Sequence, residues 1–345
     1  MKNFKRLSPE EALDLYENAP LHHLAHLAHI FRCKKSDPNV VTYAVDRNIN
    51  YTNICVSKCK FCAFSREESD EDGYVISFEE LYRKIKELVD VGGTHILLQG
   101  GHHPSLDLDF YVEMLRFIKR NFPSIHIHGF SPPEIIHFSK LFKKPVEKIL
   151  EILIEAGLDS IPGGGAEILV DDVRKKISPR KCSSEEWLMV MEIAHKMGLK
   201  TSATMMFGHV ESLRDRIEHL KKLRDLQDKT GGFTAFIPWT FQPDRTSLGH
   251  LRKLTSPEYL RTLAISRLFL DNFNNIQVSW VTMGDKIAQL GLFFGANDFG
   301  STMMEENVVA ATGVKFRLSK EDIERLIKEA GFVPKQRRMD YSLVE

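Results

Sequence analysis

Three of the five cysteines fall in one short run, C-V-S-K-C-K-F-C, which places Cys55, Cys59 and Cys62 on one loop. Three thiolates can hold a 4Fe-4S cluster by three of its irons and leave the fourth iron open to a ligand that is not protein. Electron carriers and structural zinc sites need four ligands instead, because they close their metal completely. Cys33 and Cys182 lie at no short ligand spacing from the trio, and both read as buried thiols filling apolar space. A zinc site completed by one of the 14 histidines stays open on spacing alone, as does an iron-sulfur electron carrier or a zinc-stabilised binding module.

Other runs mark candidate ligand contacts. Gln99-Gly100-Gly101-His102-His103 is either a tight turn or a place where backbone approaches a ligand closely. Gly163-Gly164-Gly165-Ala166-Glu167 lacks the G-x-G-x-x-G spacing and the downstream acid of a dinucleotide loop, which argues against NAD. A-T-M-M-F-G-H-V-E, ending at Glu211, reads as a core strand that stops in a turn.

The elements that must position these residues alternate along the chain. Short apolar strands are expected near Val40–Ala44, His95–Leu98, Ile125–Phe130, Asp159–Pro162, Thr201–Phe207, Thr234–Trp239, Gln277–Trp280 and Gly295–Asp298, with amphipathic helices between them. Helix starts are explicit: Ser8 with Pro9 and Glu11, Ser77 with Glu80, and Ser183 with Glu185 and Glu186. About eight strands in regular alternation, without a Pro/Gly/Ser linker, favour an α/β protein of one closed (β/α)8 barrel over two doubly wound domains. The expected organisation is an N-terminal helical segment at 1–36, a barrel at 37–312 and a C-terminal extension at 313–345 that closes or covers it, all one structural unit. The cysteine loop and the Gln99, Ser131, Gly163 and Gly208 runs would then follow successive strands at the barrel's C-terminal face, where such barrels keep their active sites.

Composition excludes some partners. Lys plus Arg and Asp plus Glu are both 47, so no global field favours nucleic acid or an anionic membrane. No apolar run is long enough to span a bilayer, the N-terminus has no apolar signal core, and clustered cysteines suit a reducing compartment, so a cytoplasmic protein is expected.

The trio with its aromatic Phe61 resembles C-x3-C-x-aromatic-C, the signature of the radical S-adenosylmethionine (SAM) enzymes. The resemblance implies a 4Fe-4S cluster on Cys55, Cys59 and Cys62, with SAM chelating the open iron and giving methionine and a 5′-deoxyadenosyl radical on one-electron reduction. It further implies SAM contacts from Phe61 (adenine), Gln99, Gly100 and Gly101 (amino group), Ser131, Glu167 and Arg174, Met206 (adenine) and Glu211. His102 stands where many members carry glutamate, and the match at Thr204 is loose. Within the superfamily the chain resembles the futalosine-pathway enzymes of menaquinone biosynthesis and their relatives, the deazaflavin synthases. That likeness is carried by G-G-G-A-E-I-L, A-T-M-M-F-G-H-V-E, F-I-P-W-T-F-Q-P, S-W-V-T-M-G and F-G-A-N-D-F-G-S-T-M-M-E-E-N. It is strongest toward the cyclising group, which implies dehypoxanthine futalosine as substrate and an external one-electron reductant such as flavodoxin or ferredoxin. Trp239 would wall the aromatic ring, Gln242 bond ribose hydroxyls or benzoate, and Arg245 take a carboxylate, while Asp298 and Glu305 are candidates to accept a proton. Each of these five also has a structural reading, because polar residues at barrel ends commonly bond to loops.

Overall fold

The structure is a computed structural model describing residues 6–344; the first five residues of the expected N-terminal segment lie outside the described residues. Among the described residues there are ten strands: β1 (Val40–Ala44), β2 (Asp46–Asn50), β3 (His95–Gln99), β4 (His126–Gly129), β5 (Ser160–Ile161), β6 (Lys200–Phe207), β7 (Phe233–Thr240), β8 (Asn275–Ile276), β9 (Asp298–Ser301) and β10 (Val333–Gln336). β2 to β8 form one curled parallel sheet in sequence order, each strand beside the next, as expected when a helix returns the chain after every strand.

The ring closes through β9. Val278 N–H donates to Asp298 O at 3.1 Å and Asn297 N–H to Ile276 O at 3.1 Å, which ties β9 to β8. On its other side β9 pairs in parallel with β1, and β1 runs almost directly into β2. In sequence, β1 reads as the strand that feeds the cysteine loop. In the structure that strand is β2, D-R-N-I-N, whose polar side chains look like a loop in sequence and are sheltered because a barrel strand has no free face: Asp46 and Arg47 are buried. Two other boundaries shift. The pairing part of β8 is Asn275–Ile276, and Trp280 begins a short helix with its indole N–H bonded to Ser301 O at 3.0 Å. β9 begins at Asp298, where the expectation ended.

The outer helices start on the signals the sequence carries. Ser8 caps Pro9–Asn18 and Ser183 caps Ser184–Lys196, each with a reciprocal glutamate, and Ser319 caps Lys320–Glu329. The helix at Leu21–Lys35 packs on Ser256–Phe269, outside the later strands, and shares their apolar core. After Lys320–Glu329 the chain forms β10 beside β1, then crosses the N-terminal ends of the barrel strands. There Arg337 is buried against Asp298, and Tyr341 Oη accepts from Gln277 Nε2 at 3.1 Å. The tail thus closes the end of the barrel opposite the glycine-rich loops. Among the described residues no helix is long and apolar enough to cross a membrane.

Candidate active site

β2 passes through Tyr51–Ile54 into the cysteine loop, which neighbouring loops hold by backbone bonds. Cys55 N–H donates to Arg66 O at 2.9 Å, Val56 N–H to His102 O at 3.0 Å, Lys60 N–H to Ile177 O at 2.8 Å, and Ser247 N–H to Lys60 O at 3.0 Å. The loop lies so close to the Gln99 turn that a Cβ on Gly101 would stand 2.2 Å from Ile54 O, so only glycine fits there.

All three loop cysteines are partly exposed and face one cavity. Burial pushes the Cys59 thiol up to about 12, against the pull of the Lys181 ammonium, and raises Cys62. Among the described residues no group of three or more His, Cys, Asp or Glu side chains is placed to hold a single metal ion. A cluster is held differently, each thiolate on its own iron, and three soft donors at the mouth of a sheltered cavity fit a 4Fe-4S group.

Around the loop the ligand-facing turns are braced from behind. Glu134 is buried and accepts from Tyr51 Oη at 2.7 Å, Gly100 N–H at 3.0 Å, Ser131 N–H at 2.8 Å and Ser131 Oγ at 2.6 Å, which fixes the Gln99 turn to the β4 turn. Burial raises its carboxyl, while these donors oppose the shift. Gly164 passes beside Gln99, where a Cβ would meet Nε2 at 2.4 Å. Glu167, with φ +40, pairs with Lys181 Nζ at 3.0 Å and Arg174 at 3.5 Å. Lys181 in turn stands 5.3 Å above the Phe61 ring, close enough for a cation–π contact.

These turns surround a cavity of about 370 Å³ that runs from the cysteines down the barrel to Asp46, His95, His128 and Arg337. Ten expected residues line it: Cys55, Cys59, Phe61, Cys62, Gln99, Gly100, Gly101, Ser131, Glu167 and Trp239. Seven expected residues stand outside its lining. Arg174 donates to Gly165 O, Ala166 O and Cys182 O, and so holds the G-G-G-A-E turn from below. Met206 is buried in the core, and Glu211 is sealed between Gly208 N–H, the His209 ring and Arg216. Gln242 bonds Thr240 and Thr282 O, and Arg245 is exposed. Asp298 is gripped bidentately by Arg337 and by Thr42 Oγ1 at 2.6 Å, and Glu305 pairs with Arg47 and Lys84. It is the neighbouring Glu306 that faces the cavity.

Several lining residues escaped the sequence reading: Asp46, His95, His128, Glu134, Lys181 and Arg337. Glu134 had a signal, the S-x-x-E spacing from Ser131, but this reads equally as an ordinary helix start. The others come together only through the barrel.

The Radical SAM superfamily model matches residues 49–223, and the CofH/MqnC C-terminal region model matches 230–345. A cyclic dehypoxanthine futalosine synthase of Halalkalibacterium halodurans is 46% identical over 99% of this chain and 92% of its own. A 5-amino-6-(D-ribitylamino)uracil–L-tyrosine 4-hydroxyphenyl transferase of Methanopyrus kandleri is 43% identical over 88% of this chain and 85% of its own. Among solved structures, methylornithine synthase superposes with a TM-score of 0.77 over 96% of this chain and 94% of that one; at 18% identity this speaks for the fold alone.

Proposed function

Because the chain belongs to the radical SAM superfamily and carries the CofH/MqnC C-terminal region, we propose that it cyclises dehypoxanthine futalosine to cyclic dehypoxanthine futalosine in menaquinone biosynthesis. The observation that carries this reading is end-to-end likeness, at 46% identity, to a synthase of that name, together with a barrel cavity large enough for a small two-part substrate.

Cys55, Cys59 and Cys62 hold the 4Fe-4S cluster. Gln99, Gly100, Gly101, Ser131, Glu167 and Phe61 receive SAM. Bound together, cluster and SAM supply a hydrogen-abstracting carbon radical. The protein presents the ribose C4′–H to that radical, keeps the benzoate ring within bonding reach of C4′, and excludes water and competing hydrogen donors. Trp239 walls the aromatic ring. Once C4′ has bonded to the ring, the ring must lose one electron and one proton to become aromatic again. An external one-electron reductant such as flavodoxin or ferredoxin primes the cycle, in the reducing cytoplasm where an iron-sulfur protein persists.

The test is mass spectrometry of an anaerobic reaction of reconstituted protein, reductant, SAM and dehypoxanthine futalosine. The expected result is a product lighter by a pair of hydrogens, formed with 5′-deoxyadenosine and absent with Cys59→Ala. Unchanged substrate, alongside coupling of tyrosine to the ribitylaminouracil or addition to an enolpyruvyl ether, would overturn the assignment in favour of the deazaflavin or aminofutalosine synthases.

A further inference from the structure

His102 stands in the turn after β3 and lines the cavity beside the cysteine loop. We propose that it is a positioning residue for that loop: through Ser57 its ring holds the backbone in the shape that lets Cys55, Cys59 and Cys62 take iron, and it acts on the loop instead of on SAM. The inference needs only the superfamily assignment, so it stands or falls apart from the cyclase reading.

Ser57 lies between Cys55 and Cys59 and is 1% exposed. Its Oγ is 2.7 Å from His102 Nδ1, in the one hydrogen bond this hydroxyl makes among the described residues. The His102 ring is steadied by stacking on His137, with centroids 5.0 Å apart and planes tilted by 22°. His137 in turn bonds back to the same turn, its Nε2 donating to His103 O at 2.9 Å. His102 O also accepts Val56 N–H at 3.0 Å, so one residue grips the loop by backbone and by side chain.

The loop requires such a grip. Lys58, between Ser57 and Cys59, has φ +45, a left-handed conformation that a non-glycine residue keeps only when its surroundings impose it. Two polar side chains tie this stretch to the rest of the protein. One is Lys58, whose ion pair with Glu67 is exposed and therefore weak. The other is the Ser57 hydroxyl, which is buried, where a hydrogen bond left unmade is most costly. Without that bond Lys58 is free to leave its left-handed conformation, and Cys59 moves with it. Groups behind the ligands of a metal commonly set how firmly it is held in this way.

The test compares variants of both partners. His102→Asn places an amide where Nδ1 stands and should keep the grip; His102→Ala and His102→Gln should lose it. Ser57→Ala removes only a hydroxyl and should reproduce the loss, and the double variant with His102→Ala should lose little more than His102→Ala alone, because both remove one bond. In the metal-free protein, amide hydrogen exchange across residues 53–62 should quicken about tenfold in His102→Ala and Ser57→Ala but not in His102→Asn. After reconstitution, iron held against a competing chelator should be about 10–100-fold weaker in the same two variants. The dissociation constant of SAM for the clusters that remain should be unchanged. Normal exchange and normal iron retention in Ser57→Ala or in a folded His102→Ala overturn the proposal. Weakened SAM binding with iron retention intact overturns it too, and makes the ring a ligand contact.

Discussion

The Cys59 thiol is a poor ligand until something positive arrives. Without a metal it stays protonated at neutral pH, because the shielding of its sulfur raises it to about 12 against the pull of Lys181. Iron reverses that preference, so loading the site must release protons. Replacing Cys59 with alanine should abolish the cluster's visible absorbance, bring iron content to background and eliminate 5′-deoxyadenosine. Retention of a stoichiometric, SAM-responsive cluster in Cys59→Ala would show that the trio is not the ligand set. The same loop explains why these residues were readable early. Cys55, Cys59, Phe61 and Cys62 are neighbours in sequence as well as in space, so their spacing alone carries the chemistry. Asp46 and Arg337 meet in one cavity from opposite ends of the chain, and their types carry no comparable message.

At the scale of elements, the turns after the strands depend on buried charges that touch no ligand. Glu211 ends β6: it accepts Gly208 N–H at 2.6 Å and pairs with Arg216 at 2.7 Å and the His209 ring at 3.0 Å. Burial alone would raise its carboxyl, but these partners hold it down at about 2, from an ordinary 4.5. A depressed folded value stabilises above the unfolded value and is lost as pH falls through the folded one. Glu211 should therefore contribute up to about 3 kcal/mol at neutral pH, declining between about pH 4.5 and pH 2. Urea melts of the unmodified protein and Glu211→Gln should diverge at pH 7 and converge toward pH 2; a constant gap would contradict this. The tail offers a second case. Arg337→Met strands the buried Asp298 carboxylate and should cost about 3–5 kcal/mol, and adding Asp298→Asn should recover part of it. Most helices and the order of the early strands could be read from caps and apolar alternation. β2 and β10 could not, because D-R-N-I-N and V-P-K-Q carry no apolar period. They become strands by completing a ring and by pairing with β1. Likewise Asp298 and Glu305 had the right type for proton transfer, but their arginine and lysine partners arrive from β2, the helix at Phe78–Asp90 and the tail.

At the scale of the whole molecule, the boundary between the two family regions, near residue 230, falls between β6 and β7, in the middle of the barrel. These two strands pair along their whole length, from Thr201 with Phe233 to Phe207 with Thr240. The second region also supplies β9, which closes the ring, and the tail that seals its lower end. Neither region alone can satisfy its sheet edges, and the first would expose the cavity's polar floor. The N-terminal helices add to this interdependence, since Arg216 reaches Tyr16 Oη at 2.9 Å and Arg224 bonds Leu7 O at 2.9 Å. We therefore expect helical segment, barrel and C-terminal extension to unfold as one cooperative unit. Calorimetry of the metal-free protein should show a single transition with matching calorimetric and van't Hoff enthalpies. Fragments 1–229 and 230–345 should each be insoluble alone, because an open row of unpaired strand edges invites aggregation. Two resolved transitions, or a soluble and cooperatively folding 230–345 fragment, would mean that the C-terminal region is a separate domain. The cavity would then lie at a domain boundary, and its closure around substrate would be a docking event instead of a fixed property of the barrel.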